Sequence, residues 1–202
     1  VPGMSVTSGL NSTLSADNPT GFAGAGNPTV QPTGFINNTV TNSGEGIVVT
    51  AQAGSTANVL ADGNTSTNNT FNGFVARADA STFNLALQNN TFSNNIENGA
   101  FLHYLNGGIF QAVSEDLDGD GVLDPGEDLN GNGLLDQGIV SNTMSDNTIA
   151  GLCIFGEDDG TGSFDIGGPD AGLGKTIDGN LGAGIAVDLQ DDAVAQEAAL
   201  FH

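Results

Sequence analysis

The ten residues NTFSNNIENG, Asn90–Gly99, recur along the chain and decide how it folds. An earlier copy, NTSTNNTFNG, occupies Asn64–Gly73, and a later copy, NTMSDNTIAG, occupies Asn142–Gly151. The first two glycines are 26 residues apart (99 − 73), and a copy that is one residue shorter occupies Asn38–Gly46. A period of this length is typical of proteins in which each repeat stacks on the next.

The segments that follow the repeated glycines alternate between apolar and other residues, which is the pattern of β-strands. The sequence lacks the sustained 3.6-residue apolar period that two helices per repeat would need. Stacking would form one apolar column, which we expect to contain Ile47 and Val49, Phe74 and Ala76, Ala100 and Leu102, Leu152 and Ile154, and Ile185 and Val187. A second column would place Val59 and Ala61 over Leu85 and Leu87.

The asparagine that opens each block predicts a further kind of stacking. Asn64, Asn90 and Asn142 share one position in the repeat. Identical amides stacked on adjacent parallel strands can hydrogen-bond from one strand to the next. We therefore expect these three side chains to form an amide ladder at a turn.

These residues resemble the right-handed β-helix repeats of the pectate-lyase-like superfamily, and similar repeats occur in large bacterial surface proteins. The resemblance covers most of Gly34–Asp188. It implies an all-β fold, a right-handed single-stranded parallel β-helix (solenoid) of about six coils. Residues 1–202 would then form a single β-helix domain. The resemblance says little about function, because this scaffold supports many unrelated activities.

The spacing of the blocks predicts an insertion between two strands. Asn90 and Asn142 are 52 residues apart (142 − 90), twice the period of 26, yet no further copy of the block lies between them. We expect the strand Ile109–Val113 to align with Phe83–Leu87, and the turn to resume at Ile139. Residues 114–138 are therefore interpreted as an insertion within one coil.

The insertion contains a calcium-binding motif. Oxygen ligands at positions 1, 3, 5, 7, 9 and 12, with glycine at position 6, describe the loop of an EF-hand. Gly121 stands at the sixth position and permits the sharp turn. The predicted ligands are Asp116, Asp118, Asp120, the carbonyl of Val122, Asp124 and, as a bidentate ligand, Glu127.

A second, weaker loop follows directly. Its predicted ligands are Asp128, Asn130, Asn132, the carbonyl of Leu134, and Asp136. Its twelfth position is Ile139, so the bidentate carboxylate is missing and we expect a lower calcium affinity. The pair resembles the loops of dockerins, thrombospondin type 3 repeats and other extracellular calcium modules. Two loops in direct tandem leave no room for a helix between them, which argues against a helix-opening switch.

The charge of the chain excludes several partners. It carries 24 acidic and 2 strongly basic residues, Arg77 and Lys175, for a formal net charge of −22. Nucleic acid and anionic membranes need a basic surface, so neither is an expected partner. No segment is long and apolar enough for membrane insertion. So acidic a chain needs cations or salt to limit its self-repulsion.

The residues available for catalysis are few. The repeat alignment places Arg77 and His103 on outward positions one coil apart, in a column with Thr50, Phe155 and Asp188. A lyase would need calcium and a base beside a uronate carboxylate, and a hydrolase would need paired carboxylates on one face. Because neither set is complete in the sequence, we expect no catalytic residues.

Two further features point towards contacts. An outward apolar column is predicted from Val48, Val75, Phe101, Cys153 and Ala186, and it is covered either by the chain itself or by another subunit. The Ala-rich tail, residues 189–202, is predicted to cap the last coil or to dock on another subunit, with a short helix beginning near Asp191 and Asp192.

Taken together, the sequence favours a non-enzymatic extracellular structural protein: a calcium-stabilised β-helix of a cell-surface layer, an adhesin or a self-assembling filament. The expected partners are calcium ions and further copies of the chain. Two alternatives stay open. One is a polysaccharide lyase or hydrolase, and the other is a glycan-binding module that uses Phe101, Tyr104 and Phe155.

Overall fold

A computed structural model describes residues 4–8, 13–15, 34–114, 138–167 and 175–197 of the chain. Within these residues the regular structure is β-strand, and none of them lies in a helix. The strands, in chain order, are β1 (Met4–Ser8), β2 (Thr13–Ser15), β3 (Phe35–Ile36), β4 (Thr39–Thr41), β5 (Ile47–Gln52), β6 (Thr56–Asp62), β7 (Thr65–Thr67), β8 (Phe74–Asp79), β9 (Thr82–Gln88), β10 (Asn98–Leu105), β11 (Ile109–Ala112), β12 (Ile139–Val140), β13 (Ala150–Gly156), β14 (Thr161–Phe164), β15 (Ala183–Leu189) and β16 (Val194–Glu197). The described part of the chain therefore offers no helix that could cross a membrane.

The strands form three parallel sheets. Sheet A has the order β1-β5-β8-β10-β13-β15, and sheet B has the order β16-β14-β11-β9-β6-β2, with β12 on β9 and β3 on β6. Sheet C consists of β4 and β7 and is continued by isolated parallel bridges through Thr91, Thr143 and Thr176. Successive strands along the chain enter different sheets, so each sheet pairs one repeat with the next. The expected all-β class is confirmed, and the stacked parallel sheets are compatible with a parallel β-helix.

The register of sheet A confirms the predicted inward column in its central strands. Ile47 lies opposite Phe74, Phe74 opposite Ala100, and Ala100 opposite Leu152. All four side chains are fully buried. Sheet B also confirms the second column, because Val59 pairs with Leu85 and Ala61 with Leu87.

Stacked aromatic rings extend the core between the sheets. Phe83 and Phe110, on adjacent strands of sheet B, stack with ring centroids 5.1 Å apart, and Phe110 stacks on Phe164 at 5.6 Å. Phe74 of sheet A stacks on Phe92 at 5.5 Å. Each fully buried aromatic side chain contributes roughly 1.5–3 kcal/mol relative to exposure. The core is therefore a continuous column between the sheets.

The predicted amide ladder is present. The Nδ2 of Asn64 donates to the Oδ1 of Asn90 at 2.9 Å, and the Nδ2 of Asn90 donates to the Oδ1 of Asn142 at 2.9 Å. Asn38 adds a further member at the first end, with its Nδ2 2.9 Å from the Oδ1 of Asn64. The ladder satisfies buried amides that would otherwise lack partners.

A second ladder, which the sequence reasoning missed, runs parallel to the first. Asn69, Asn95, Asn147 and Asn180 donate from one Nδ2 to the next Oδ1 at 3.0, 3.1 and 3.1 Å. Its first three members stand at the sixth position of the repeated block, so the recurring Asn-Asn or Asp-Asn pair was its available signal.

Left-handed backbone recurs at one corner of successive repeats, which explains the abundance of Asn and Gly at turns. The residues of this corner are Asn42, Asn68, Asn94, Asp146 and Gly179, with φ between 55° and 63°. Close approach explains the repeated glycines instead. A Cβ on Gly73 would lie 2.7 Å from the carbonyl oxygen of Gly99, and one on Gly99 would lie 2.6 Å from that of Gly151.

Sheet B is interrupted first between β2 and β3. Ser15 pairs with Asn58 and Phe35 pairs with Ala61. The partners on β6 are 3 residues apart (61 − 58), whereas Ser15 and Phe35 are 20 apart (35 − 15), so 17 additional residues separate the two half-strands.

The second interruption, between β11 and β12, falls at the same register. Gln111 pairs with Asn84, and Ile139 pairs with Leu87. The two partners on β9 are 3 residues apart (87 − 84), whereas Gln111 and Ile139 are 28 apart (139 − 111), so 25 additional residues separate β11 from β12. Asn58 faces Asn84 and Ala61 faces Leu87, so both interruptions occupy one position in the sheet. The predicted alignment of Ile109 was wrong by one residue, because Ile109 pairs with Thr82 rather than with Phe83.

The last repeat departs from two expectations. Val187 continues the inward column but is 55 % exposed, because no further described strand covers it. The helix predicted from Asp191 is wrong within the described tail: Asp191 and Asp192 form a left-handed turn, and Val194–Glu197 is strand β16, paired with β14. Backbone pairing with an open sheet edge outweighs the helix propensity of alanine there.

Candidate functional site

The predicted calcium ligands lie outside the described residues. These are Asp116, Asp118, Asp120, Val122, Asp124, Glu127, Asp128, Asn130, Asn132, Leu134 and Asp136. Ile139, the twelfth position of the second loop, is fully buried in β12 and belongs to the core. Within the described ranges, no three His, Cys, Asp or Glu residues are grouped so that they could hold a metal.

The base of the insertion is described, and one residue spans it. Phe164 of β14 pairs with Ala112 before the insertion, and Ile166 forms a bridge to Ile139 after it. Asp165, between them, donates its N–H to the carbonyl of Ala112 at 2.7 Å and accepts the N–H of Ile139 at 2.9 Å. Residues 27 apart (139 − 112) are thereby held against three consecutive residues of the neighbouring repeat.

The side chain of Asp165 holds the start of the insertion. Its Oδ2 accepts the backbone N–H of Ser114 at 2.6 Å. Burial raises the pKa of Asp165, while this hydrogen bond opposes the rise. The Oγ of Ser114 is buried and has no hydrogen-bond partner among the described residues. The carboxylate of Asp165 thus binds the backbone at the point where the chain enters the insertion.

The outer face of sheet A carries the other candidate site, and its register follows the prediction. His103 pairs with Arg77 on one side and with Phe155 on the other. His103 is only 9 % exposed, and its Nε2 lies 2.9 Å from the Oε1 of Glu157. Burial lowers the pKa of His103, which the hydrogen bond to Glu157 opposes. Glu157 was not identified from the sequence, because it follows the end of β13.

Arg77 has an unusual environment for a cation in so acidic a chain. Its Nε is buried and has no hydrogen-bond partner, and within the described residues no carboxylate forms an ion pair with it. Aromatic rings lie nearby on the same face: the ring of His103 is 5.0 Å from that of Phe155 and 5.6 Å from that of Phe101. Guanidinium and aromatic faces together can bind a planar or carboxylate-bearing group.

The predicted outward apolar column is also in register. Val48 pairs with Val75, Val75 with Phe101, and Phe101 with Cys153. These side chains are partly buried, and burial raises the pKa of the free Cys153 thiol.

The prediction that Tyr104 contributes to a glycan-binding face was wrong. Its ring is fully buried, with the ring centroid 6.0 Å from that of Phe164. Burial raises the pKa of Tyr104 to about 12, and the hydroxyl donates to the carbonyl of Val194 at 3.2 Å. The alternation that placed Leu102 inward also places Tyr104 inward.

No protein family matches the chain, and neither a curated protein nor a solved structure shows significant similarity to it.

Proposed function

We propose that the chain is a right-handed parallel β-helix of about six coils that serves as a calcium-stabilised, non-enzymatic extracellular structural protein. It would belong to a cell-surface layer, an adhesin or a self-assembling filament. The observation that carries this proposal is the position of the calcium motif. It is inserted within a continuous parallel stack, and the stack itself holds both ends of the insertion.

The β-helix proposal is supported by the way the chain visits the sheets. β5, β6 and β7 enter sheets A, B and C in turn, and β8 and β9 begin the same course again. Their hydrogen-bonded asparagines are 26 residues apart, which matches the sequence period. Sheet A contains six strands, one for each proposed coil.

The calcium proposal is supported by charge and spacing. Seven acidic side chains lie between Glu115 and Asp128, and at close range they repel one another unless a cation lies among them. Asp116, Asp118, Asp120, Val122, Asp124 and Glu127 would form the stronger site. Asp128, Asn130, Asn132, Leu134 and Asp136 would form the weaker one, and calcium would order both loops.

Self-association is supported by the last repeat. Its exposed apolar side chains include Leu181 at 81 %, Val187 at 55 % and Val194 at 48 %. A sheet edge that the described residues leave uncovered, with apolar side chains, favours pairing with a further strand, which a second copy of the chain would supply. Calcium could also bridge acidic copies, because it reduces their mutual repulsion.

The calcium proposal is tested by titration with a matched variant. Isothermal titration calorimetry should show calcium binding to the unaltered chain, and Glu127→Gln should weaken it strongly because a bidentate ligand is lost. Asp188→Asn, which changes an exposed carboxylate on sheet A, should bind like the unaltered chain. Chelation should make 114–138 protease-sensitive while the strands persist by circular dichroism. Calcium binding that is absent, or equal in all three proteins, would refute the proposal.

Assembly is tested by electron microscopy with and without calcium. Filaments or a lattice at physiological calcium would support the structural role. A monomer under every condition would contradict it.

A second candidate function, glycan binding on the outer face of sheet A, is favoured by Arg77. Its Nε is buried and has no hydrogen-bond partner among the described residues, and Phe101 and Phe155 stack on the same face of sheet A, which would suit an acidic sugar. A glycan array with the unaltered chain and Arg77→Ala tests it: binding that is lost in the variant supports this site. Turnover of an acidic polysaccharide that disappears in the same variant would instead establish the lyase alternative.

A further inference from the structure

We infer that Asp165 is a positioning residue for the insertion, which fixes both ends of the segment and thereby raises its calcium affinity. The positioning part stands on the described contacts, and the calcium part rests on the proposed function. Asp165 is not itself among the proposed ligands.

Asp165 contacts both sides of the interruption. Its backbone bonds Ala112 before the insertion and Ile139 after it, at 2.7 and 2.9 Å. Its carboxylate extends the contact to the N–H of Ser114 at 2.6 Å. Ser114 stands two residues before Asp116, the first proposed ligand (116 − 114), so the carboxylate holds the chain close to where the first loop begins.

The carboxylate of Asp165 differs from the apolar side chains at the same level of the two uninterrupted strands. Phe164 pairs with Ala112, and Gln111 pairs with Asn84. Continued along the strands, this register brings Asp165 level with the neighbouring pair Ala86 and Leu60. Leu60 and Ala86 lie on continuous strands, and both are apolar. The acid therefore occurs in the repeat next to the interrupted one, where its carboxylate accepts the N–H of Ser114.

The hydrogen bond between the Asp165 carboxylate and the Ser114 N–H is of a strong kind. A carboxylate that accepts a backbone N–H forms a charge-assisted bond, which is stronger than a bond between neutral groups. Burial of the acid would be unfavourable without that partner. A fixed starting point would lower the conformational entropy that the proposed calcium loop loses on binding. Loss of the carboxylate should therefore release Ser114 and weaken calcium binding without removing a ligand.

The experiment compares the full-length chain with three variants: Asp165→Ala, Asp165→Asn and Asp188→Ala. The first removes the acceptor, the second keeps a neutral acceptor, and the third removes an exposed carboxylate elsewhere. Hydrogen exchange of the Ser114 amide is measured in chelator, and calcium affinity is measured by calorimetry. We expect about tenfold weaker calcium binding in Asp165→Ala, the lower end of effects seen for residues that orient metal ligands. We expect a smaller loss in Asp165→Asn and none in Asp188→Ala.

The two readouts separate the two ideas. The positioning role is supported if the Ser114 amide exchanges faster in Asp165→Ala and is partly protected in Asp165→Asn. This result would hold even if the unaltered chain bound no calcium, and then only the proposed function would fail. Unchanged exchange at Ser114 overturns the positioning role, and unchanged affinity in a chain that does bind calcium overturns its effect on calcium. If Asp165→Ala does not fold, Asp165→Asn decides the question. The Ser114 amide should still exchange faster when its acceptor is a neutral amide than when it is a carboxylate.

Discussion

Replacing Asn90 by alanine tests how much the first amide ladder stabilises the fold. Asn90 is 1 % exposed, and its Oδ1 accepts both the backbone N–H and the Nδ2 of Asn64, each at 2.9 Å. Its Nδ2 donates to the carbonyl of Ala61 at 2.8 Å and to Asn142 at 2.9 Å. Asn90→Ala therefore removes four hydrogen bonds from a buried position.

The expected magnitude follows from the groups left without partners. Two donors on Asn64 and the carbonyl of Ala61 lose their bonds, whereas the Oδ1 of Asn142 still accepts the N–H of Asn90 at 2.9 Å. A buried polar group left unsatisfied costs about 1–3 kcal/mol. Allowing for relaxation and for entry of water, we expect a loss of about 3–6 kcal/mol in the free energy of unfolding, a large share of a typical domain's stability.

Asn38→Ala is the matched control, because it changes the same residue type at the end of the same ladder. The side chain of Asn38 donates to Asn64, whose Oδ1 keeps the backbone N–H of Asn38 as a donor. Its loss should cost about 0.5–1.5 kcal/mol, the net value of one ordinary hydrogen bond. Urea unfolding followed by circular dichroism measures both variants. Equal costs in the two would refute the reasoning that interior ladder members are stabilised from both sides.

Two further predictions concern the glycine column and the buried histidine. Gly99→Ala should lower the free energy of unfolding by about 1–3 kcal/mol, the usual cost of overpacking, because its Cβ would lie 2.6 Å from the carbonyl oxygen of Gly151. Thermal unfolding measures this loss. The control is Gly107→Ala, whose Cβ meets nothing within 4 Å and whose cost comes only from its φ of 71°. Burial lowers the pKa of His103 in the folded state below the usual value of 6.5, so the unfolded state binds the proton more readily. The stability that His103 contributes is therefore fully present above pH 6.5 and should fall as the pH drops from 6.5 through the folded-state pKa. Chemical unfolding between pH 7 and 5 should show this loss, and His103→Asn should remove that component; an unchanged slope in the variant would show that His103 is not its source.

The repeat was sufficient to predict the columns of the core, because a fixed period places equivalent residues on adjacent strands whatever the shape of the turns. It also identified the ladder through Asn90. The ladder through Asn95 was missed since its asparagines stand inside the block rather than at its start.

The contacts that cross an interruption could not be predicted in the same way. Asp165 lies outside the ten-residue blocks, and its bond to Ser114 depends on a side-chain conformation that the repeat does not specify. Glu157 likewise lies just beyond the end of β13, so the strand register did not predict its contact with His103. The tail was misjudged because local propensity was weighed without the open sheet edge beside it.

The shared register of the two interruptions has a consequence for engineering. The sheet accommodates 17 and 25 additional residues at one position while the strands on either side keep their pairing. The corresponding points on the uninterrupted strands, between Val59 and Leu60 and between Leu85 and Ala86, become sites where a foreign peptide could be grafted. Grafts on successive strands would emerge in a row at intervals of about 4.8 Å, the spacing of paired strands. The chain is thereby a scaffold on which epitopes could be displayed at chosen separations.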